Sequence, residues 1–149
     1  MQTFLPYSRF DLTARRLDRA RLGKQRVEAG QILRTLLGWS DGWAEHPAVR
    51  MWRGYEVALF AYLQIMRDEW AARGYRNDKT DAFMATVRES GELLRRSILP
   101  PPWLGDRAFH LSHRSNLLRK APEHYRQYWP RLRADLPYVW PTNEMENTV

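Results

Sequence analysis

Hydrophobic positions along the chain recur at helical spacing, with proline and glycine as punctuation and almost no alternation of the strand type. Between residues 13 and 37, Leu22, Ala29, Leu33 and Leu36 fall at intervals of seven, four and three, tracing one face of a long helix that Gly38 stops. Thr13 is its expected N-cap, which places Arg15 and Arg16 in a first turn where cations oppose the helix dipole. A second helix is predicted over residues 48–73, with Met51, Tyr55, Leu59, Tyr62, Met66 and Trp70 among its inward positions and Gly74 at its end. A third runs from a cap at Thr80 or Asp81 to about residue 96, and a fourth covers about residues 107–120. Pro122 opens a short fifth helix through residue 129, because proline suits the first helical position.

The remaining segments read as extended. Residues 1–11 form an arm in which Pro6 blocks helix and Phe4, Leu5, Tyr7 and Phe10 offer apolar anchors. The run Leu99-Pro100-Pro101-Pro102-Trp103 is a rigid connector. Residues 136–141 are extended and aromatic and are expected to fold back on the body, while the acidic end after Thr142 is expected to fray. The expectation is an all-α single compact domain of about four to five helices over residues 1–141, with an extended N-terminal arm and C-terminal tail, and a disordered stretch at 142–149.

At 149 residues, 44% hydrophobic and 13% aromatic, such a domain can fill a core. The longest apolar stretch, residues 57–66, is interrupted by Gln64 and falls well short of the roughly 20 residues that span a bilayer. The first residues lack a basic leader with an apolar block, and the absence of cysteine removes disulfides, thiolate metal sites and thiol nucleophiles. A cytoplasmic, nucleoid-associated monomer with no membrane partner is expected. Lysine plus arginine is 24 against 17 acidic residues, a formal +7, and 21 of the 24 cations are arginine. Arginine suits bidentate phosphate contacts and stacking, so the balance points to a polyanion, nucleic acid before an acidic membrane surface. An arginine-rich but ordinary surface gives the same count.

Three constellations carry candidate chemistry. On the first long helix Arg21, Lys24, Glu28 and Gln31 share a polar face, with Arg15, Arg19 and Arg26 adjoining, so a lone carboxylate sits in a cationic stripe. A surface facing phosphates has no use for a carboxylate unless it does acid–base or electrostatic work, although a Lys24–Glu28 surface pair explains the same spacing. On the fourth helix the polar face offers His113, Arg114, Asn116 and Lys120, which suit phosphate and sugar contacts, although a solvated basic helix reads the same way. His110 and His113 lie three apart, but no acidic third ligand or His-Glu-x-x-His pattern accompanies them, so no metal is expected. Around Trp52, Arg50 and Arg53 interleave with aromatics as base-stacking surfaces do, or Trp52 and Tyr55 are simply core.

Taken in order, four segments resemble the pyrimidine-dimer DNA glycosylase (endonuclease V-like) family over about residues 1–130. Leu17-Asp18, Leu22 and Glu28 are similar to the family's Leu-Asp…Leu…Glu helix, and His46-Pro47-Ala48-Val49 to the His-Pro-x-Leu segment of bacterial members. Arg73-Gly74-Tyr75-Arg76-Asn77 resembles the turn that ends the long middle helix, and Pro122-Glu123-His124-Tyr125-Arg126-Gln127-Tyr128 the aromatic ending. The opening Met1-Gln2-Thr3-Phe4-Leu5-Pro6 is similar to that of an actinobacterial-type branch.

The resemblance implies a helical domain that binds duplex DNA, extrudes a nucleotide and works without metal or cofactor. In the family an N-terminal α-amine attacks C1′ of the damaged nucleotide and forms a Schiff base, and a helix-borne glutamate assists that step and the strand-nicking β-elimination. α-Amines as a class titrate near 7.7–8.0, so roughly a tenth or more is neutral and nucleophilic at pH 7. By that carry-over Glu28 is the catalytic carboxylate. The amine is on Met1, which precedes a residue too large for the usual trimming, or is that of Lys24, one turn before Glu28. Arg15, Arg19, Arg21, Arg26, His113, Arg114, Arg119 and Lys120 are the expected DNA contacts. The rival expectation is a nucleic-acid-binding module that keeps the fold without the chemistry.

Overall fold

Glycine and buried polar residues, more than hydrophobic period, decide where the helices begin and end. The computed structural model describes residues 1–141, so the end expected to fray lies outside the described residues. The elements are α1 (Phe10–Arg16), α2 (Arg19–Leu36), α3 (Pro47–Arg50), α4 (Glu56–Ala72) and α5 (Asp78–Ser90), a 3-10 turn (Glu92–Arg95), α6 (Arg107–Lys120) and α7 (Pro122–Tyr125). The all-α class is as expected, and no strand occurs among the described residues. The helices outnumber the expected four to five because two long predicted helices are each divided.

The first division falls at Leu17 and Asp18, both extended. Leu17 is fully buried there. Tyr125 holds the break, its hydroxyl oxygen accepting the Asp18 N–H at 3.0 Å and its proton going to the Asp18 carboxylate. Burial, and then the bond to Asp18, push the Tyr125 hydroxyl above its ordinary titration range. Arg73 donates to the carbonyls of Ala14 at 3.0 Å and Leu17 at 2.8 Å, so a side chain from the far end of α4 satisfies the frayed end of α1. Arg15 and Arg16 consequently occupy the last turn of α1, where they complement the dipole they were expected to oppose.

The second division falls at Gly54, whose φ of +89° suits a residue without Cβ. Its N–H donates to the carboxylate of Glu56 at 3.1 Å, and that buried carboxylate pairs with Arg96 at 3.0 Å. The third predicted helix stops early, at Gly91, a left-handed cap with φ +72°.

α2 and α4 form the centre. Gly23 near the start of α2 faces Trp70 near the end of α4, where an added Cβ would lie 3.0 Å from the indole, so the helices pass antiparallel and close. Leu22, Ala29 and Leu33 of the predicted face are buried, with Leu59, Tyr62, Leu63 and Met66 opposite. Trp52 is fully buried and donates from Nε1 to Thr3 Oγ1 at 2.9 Å, so it is core and not a stacking surface.

The N-terminal arm runs through this core as a segment without regular secondary structure, and side chains from three helices bond its backbone. Gln25 of α2 accepts the Phe4 N–H at 2.8 Å, and Tyr62 of α4 donates to the Phe4 carbonyl at 2.8 Å. From α6, His113 Nδ1 accepts the Leu5 N–H at 2.9 Å, His110 Nδ1 bonds the Leu5 carbonyl at 2.7 Å, and Arg114 donates to the Pro6 carbonyl at 2.7 Å. The tail folds back as expected, along the other side of α6: Ser115 Oγ accepts the Leu136 N–H, Asn116 donates to the Leu136 carbonyl, and Ser112 Oγ accepts the Val139 N–H. His110, Ser112, His113, Ser115 and Asn116 of α6 are therefore buried, while Arg119 and Lys120 at its end stay exposed. His113 has no exposed surface and cannot reach a phosphate, contrary to expectation, because two strandless extended segments claim the polar side chains between them.

Both clamping histidines must be neutral. His113 accepts at Nδ1, and His110 accepts the Gly105 N–H at Nε2 while its Nδ1 donates to Leu5. Burial lowers His113 to about 3 and lowers His110 as well. Since the unfolded chain takes up these protons near pH 6.5, stability is full above that pH and falls as the pH drops toward the folded values. Urea denaturation should show a loss of at least about 1 kcal/mol per pH unit between roughly pH 6 and 4.5, above the range where most carboxylates titrate. His113→Asn, which retains an acceptor for Leu5, should flatten part of that slope, and a wild-type profile already flat over this window would contradict the clamp.

Candidate active site

Spacing on α2 and the path of the arm together build one small basic pocket. Arg21, Lys24, Gln25 and Glu28 lie on neighbouring turns of α2. The arm lays Met1, Gln2 and Phe4 across them, and Lys120 at the end of α6 and Tyr138 in the tail close the remaining sides, around about 240 Å³. Sites that enclose a whole small ligand run to roughly 300–1,000 Å³, so this one suits one reacting end of a larger molecule. Two larger clefts are chemically poorer. One of about 430 Å³ between Tyr7, Arg9, Arg107 and Arg114 has no carboxylate. Another of about 330 Å³ sets Arg15 among Asp11, Asp68 and Glu69. Neither brings an amine to a carboxylate.

Glu28 is half-buried, and its Oε2 accepts the backbone N–H of Gln2 at 3.1 Å. Three backbone bonds separate that nitrogen from the α-nitrogen of Met1, a span of at most about 4 Å. Lys24, exposed and one turn away, makes no ion pair with Glu28 among the described residues, so the surface pair that the spacing permits does not form. Arg21 bonds Asp18 at 3.1 Å and lines the same pocket. The amino terminus, Arg21, Lys24 and Lys120 thus surround one pocket carboxylate, a field that draws in a polyanion.

Gln2, Gln25 and Tyr138 were not anticipated. Gln2 uses Oε1 to accept the Thr3 N–H, and Gln25 uses Oε1 to accept the Phe4 N–H. Their buried amide nitrogens have no partner among the described residues. Tyr138 is pushed up to about 12, chiefly by burial, and stays a neutral phenol beside the pocket. Gln25 stands out in the sequence only as a neutral residue within the cationic stripe, and nothing in the proline-bracketed tail marks Tyr138. His46 caps α3, its Nδ1 accepting the Ala48 N–H at 3.0 Å. Burial holds its titration below the ordinary range, the charge of the amino terminus adds to that, and Glu28 pulls the other way, so both pocket charges reach it.

The other expected contacts lie apart from this pocket. Arg26 sits 4.5 Å over Trp70 and donates to Asn77 at 3.0 Å and Thr80 at 3.3 Å, tying α2 to α5. Arg19 lies over Tyr75 at 5.1 Å. Arg114 is held by Pro6 and the Tyr7 ring, and Arg119 by the Ala134 carbonyl and the Asn116 side chain. No group of three or more His, Cys, Asp or Glu able to hold a metal occurs among the described residues, and no helix there is long and apolar enough to cross a membrane.

A family model described as pyrimidine dimer DNA glycosylase matches residues 1–83, a span that holds the arm, α2 and Glu28. No curated protein and no solved structure matches the chain.

The two kinds of cation should separate in thermal denaturation. Arg26→Ala removes two hydrogen bonds and a ring contact and is expected to cost about 1–3 kcal/mol. Lys24→Ala should stay within about 0.5 kcal/mol of the parent. Equal costs would mean that the partition between framework and pocket is wrong.

Proposed function

Because the chain belongs to the pyrimidine dimer DNA glycosylase family, we propose that it excises a damaged base from duplex DNA and nicks the abasic strand, using the amine of Met1 and the carboxylate of Glu28. The observation that carries this reading is the hydrogen bond from Gln2 N–H to Glu28, which brings the first residue of the chain to a carboxylate inside a basic pocket. The pocket needs to hold only the sugar at the lesion, in keeping with its volume, while Arg21, Lys24 and Lys120 offer charge to the flanking phosphates.

In the proposed reaction the neutral amine nitrogen attacks C1′ as the C1′–N bond to the base breaks, and the base leaves with its electron pair and takes up a proton. Opening of the sugar at O4′ gives a Schiff base between C1′ and the amine. Removal of a C2′ proton then expels the 3′ phosphate with the C3′–O electron pair. Glu28 fits the proton transfers at O4′ and C2′, because its second oxygen stays available while Oε2 holds Gln2. A neutral amine is required as the nucleophile, and a carboxylate beside it serves as acceptor for the proton it sheds on addition.

Lys24 supports a second reading, since it lines the same pocket one turn from Glu28. Borohydride trapping on a duplex with one abasic site separates the two. The expected cross-link maps by mass spectrometry to residue 1, survives Lys24→Ala and is lost when the α-amine is acetylated. A cross-link on Lys24 would move the nucleophile there, and none at all, with DNA still bound, would leave a binding module. Glu28→Gln should lower nicking by about 10²–10⁴-fold with duplex affinity retained. Unchanged nicking in that variant would remove Glu28 from the mechanism.

A further inference from the structure

Trp43 combines two unusual properties. It is 63% exposed, more than any other described tryptophan. Its φ is +64°, the only positive value on a described residue other than glycine. The left-handed region brings Cβ against the following carbonyl, and a bulky side chain persists there only where its surroundings impose it. They do so here. Thr35 Oγ1 donates to the Gly42 carbonyl at 2.7 Å, the His46 N–H to the Trp43 carbonyl at 2.9 Å, and Arg53 to the Ala44 carbonyl at 3.1 Å. The backbone on either side is pinned while the indole projects into solvent.

That indole begins a series of ring contacts that ends at the pocket wall. It meets the His46 ring edge-on at 6.0 Å, His46 meets Trp140 at 5.9 Å, and Trp140 lies 5.8 Å from Tyr138, which lines the pocket. The charges of the amino terminus and Glu28 act on His46, the ring against which Trp43 packs. An exposed ring on a pinned backbone, linked through His46 and Trp140 to the wall of a cationic pocket, fits an anionic ligand that carries flat aromatic faces, and a nucleobase next to its phosphate is that chemistry.

We propose that Trp43 is the stacking residue of this enzyme: it enters the duplex at the lesion and fills the gap left as the nucleotide turns toward the pocket. The inference rests on the glycosylase reading and adds to it the residue that offsets the loss of base stacking. Holding the backbone on either side of the ring fixed means that this loop need not be ordered during binding.

The test uses two duplexes that differ only in a non-cleavable abasic-site analogue, each with 2-aminopurine beside that position, and the full-length protein. Wild type is expected to favour the abasic duplex and to change the 2-aminopurine fluorescence. Trp43→Ala should bind the abasic duplex about tenfold more weakly, lose the fluorescence change and keep its affinity for the intact duplex. Trp43→Phe should restore part of both signals. Trp43→Gly, which suits φ +64°, should melt no lower than wild type yet behave as Trp43→Ala with DNA, which separates stacking from folding. A Trp43→Ala protein indistinguishable from a lesion-selective wild type overturns the stacking role alone. A wild type that does not distinguish the duplexes overturns the glycosylase reading and the stacking role with it.

Discussion

An extended segment buried in a helical protein must find hydrogen-bond partners without a sheet, and this requirement organises the molecule. Residues 2–6 lie in the interior, and their backbone groups bond the side chains of Gln25, Glu28, Tyr62, His110, His113 and Arg114. An unpaired buried amide costs as much as a lost hydrogen bond, so these residues are constrained in identity, and the two histidines in protonation state as well. Gln25 and Glu28 lie on α2, Tyr62 on α4 and the other three on α6, and the arm thereby ties α6 to the central α2–α4 pair.

The same constraint makes the site. Met1 is delivered to the basic pocket because the five residues that follow are held in place, and Glu28 belongs both to that grip and to the proposed chemistry. Loosening the grip would free the amine as well as destabilise the fold. Acid that protonates the two clamping histidines therefore bears on stability and site geometry together.

The formal charge of +7 overstates what is available to a polyanion. Arg73 ends α1, Arg96 neutralises buried Glu56, Arg26 lies on Trp70, and Arg114 holds the arm. Guanidinium suits such work because its planar array of donors satisfies several carbonyls at once while one face stacks on a ring. The cations left around the pocket are fewer, and among them are two of the three lysines, Lys24 and Lys120.

Helical class, the buried faces of α2 and α4, the extended arm and tail, and the oddity of Glu28 among arginines were all legible in the sequence, because each depends on residues near one another in the chain. Periodicity reports one face of one helix, and glycine and proline report local backbone freedom. The break at Leu17 was not legible, since Tyr125 and Arg73 impose it from more than 50 residues away. Nor was the burial of His113: a polar helical face reads as solvated unless the segment that covers it is known. Sequence by itself determined that this is a basic, all-helical protein with an isolated carboxylate on its first long helix. Only the tertiary structure decided which cations surround that carboxylate and which bind the framework, because both kinds have the same composition and differ only in the partners that folding brings to them.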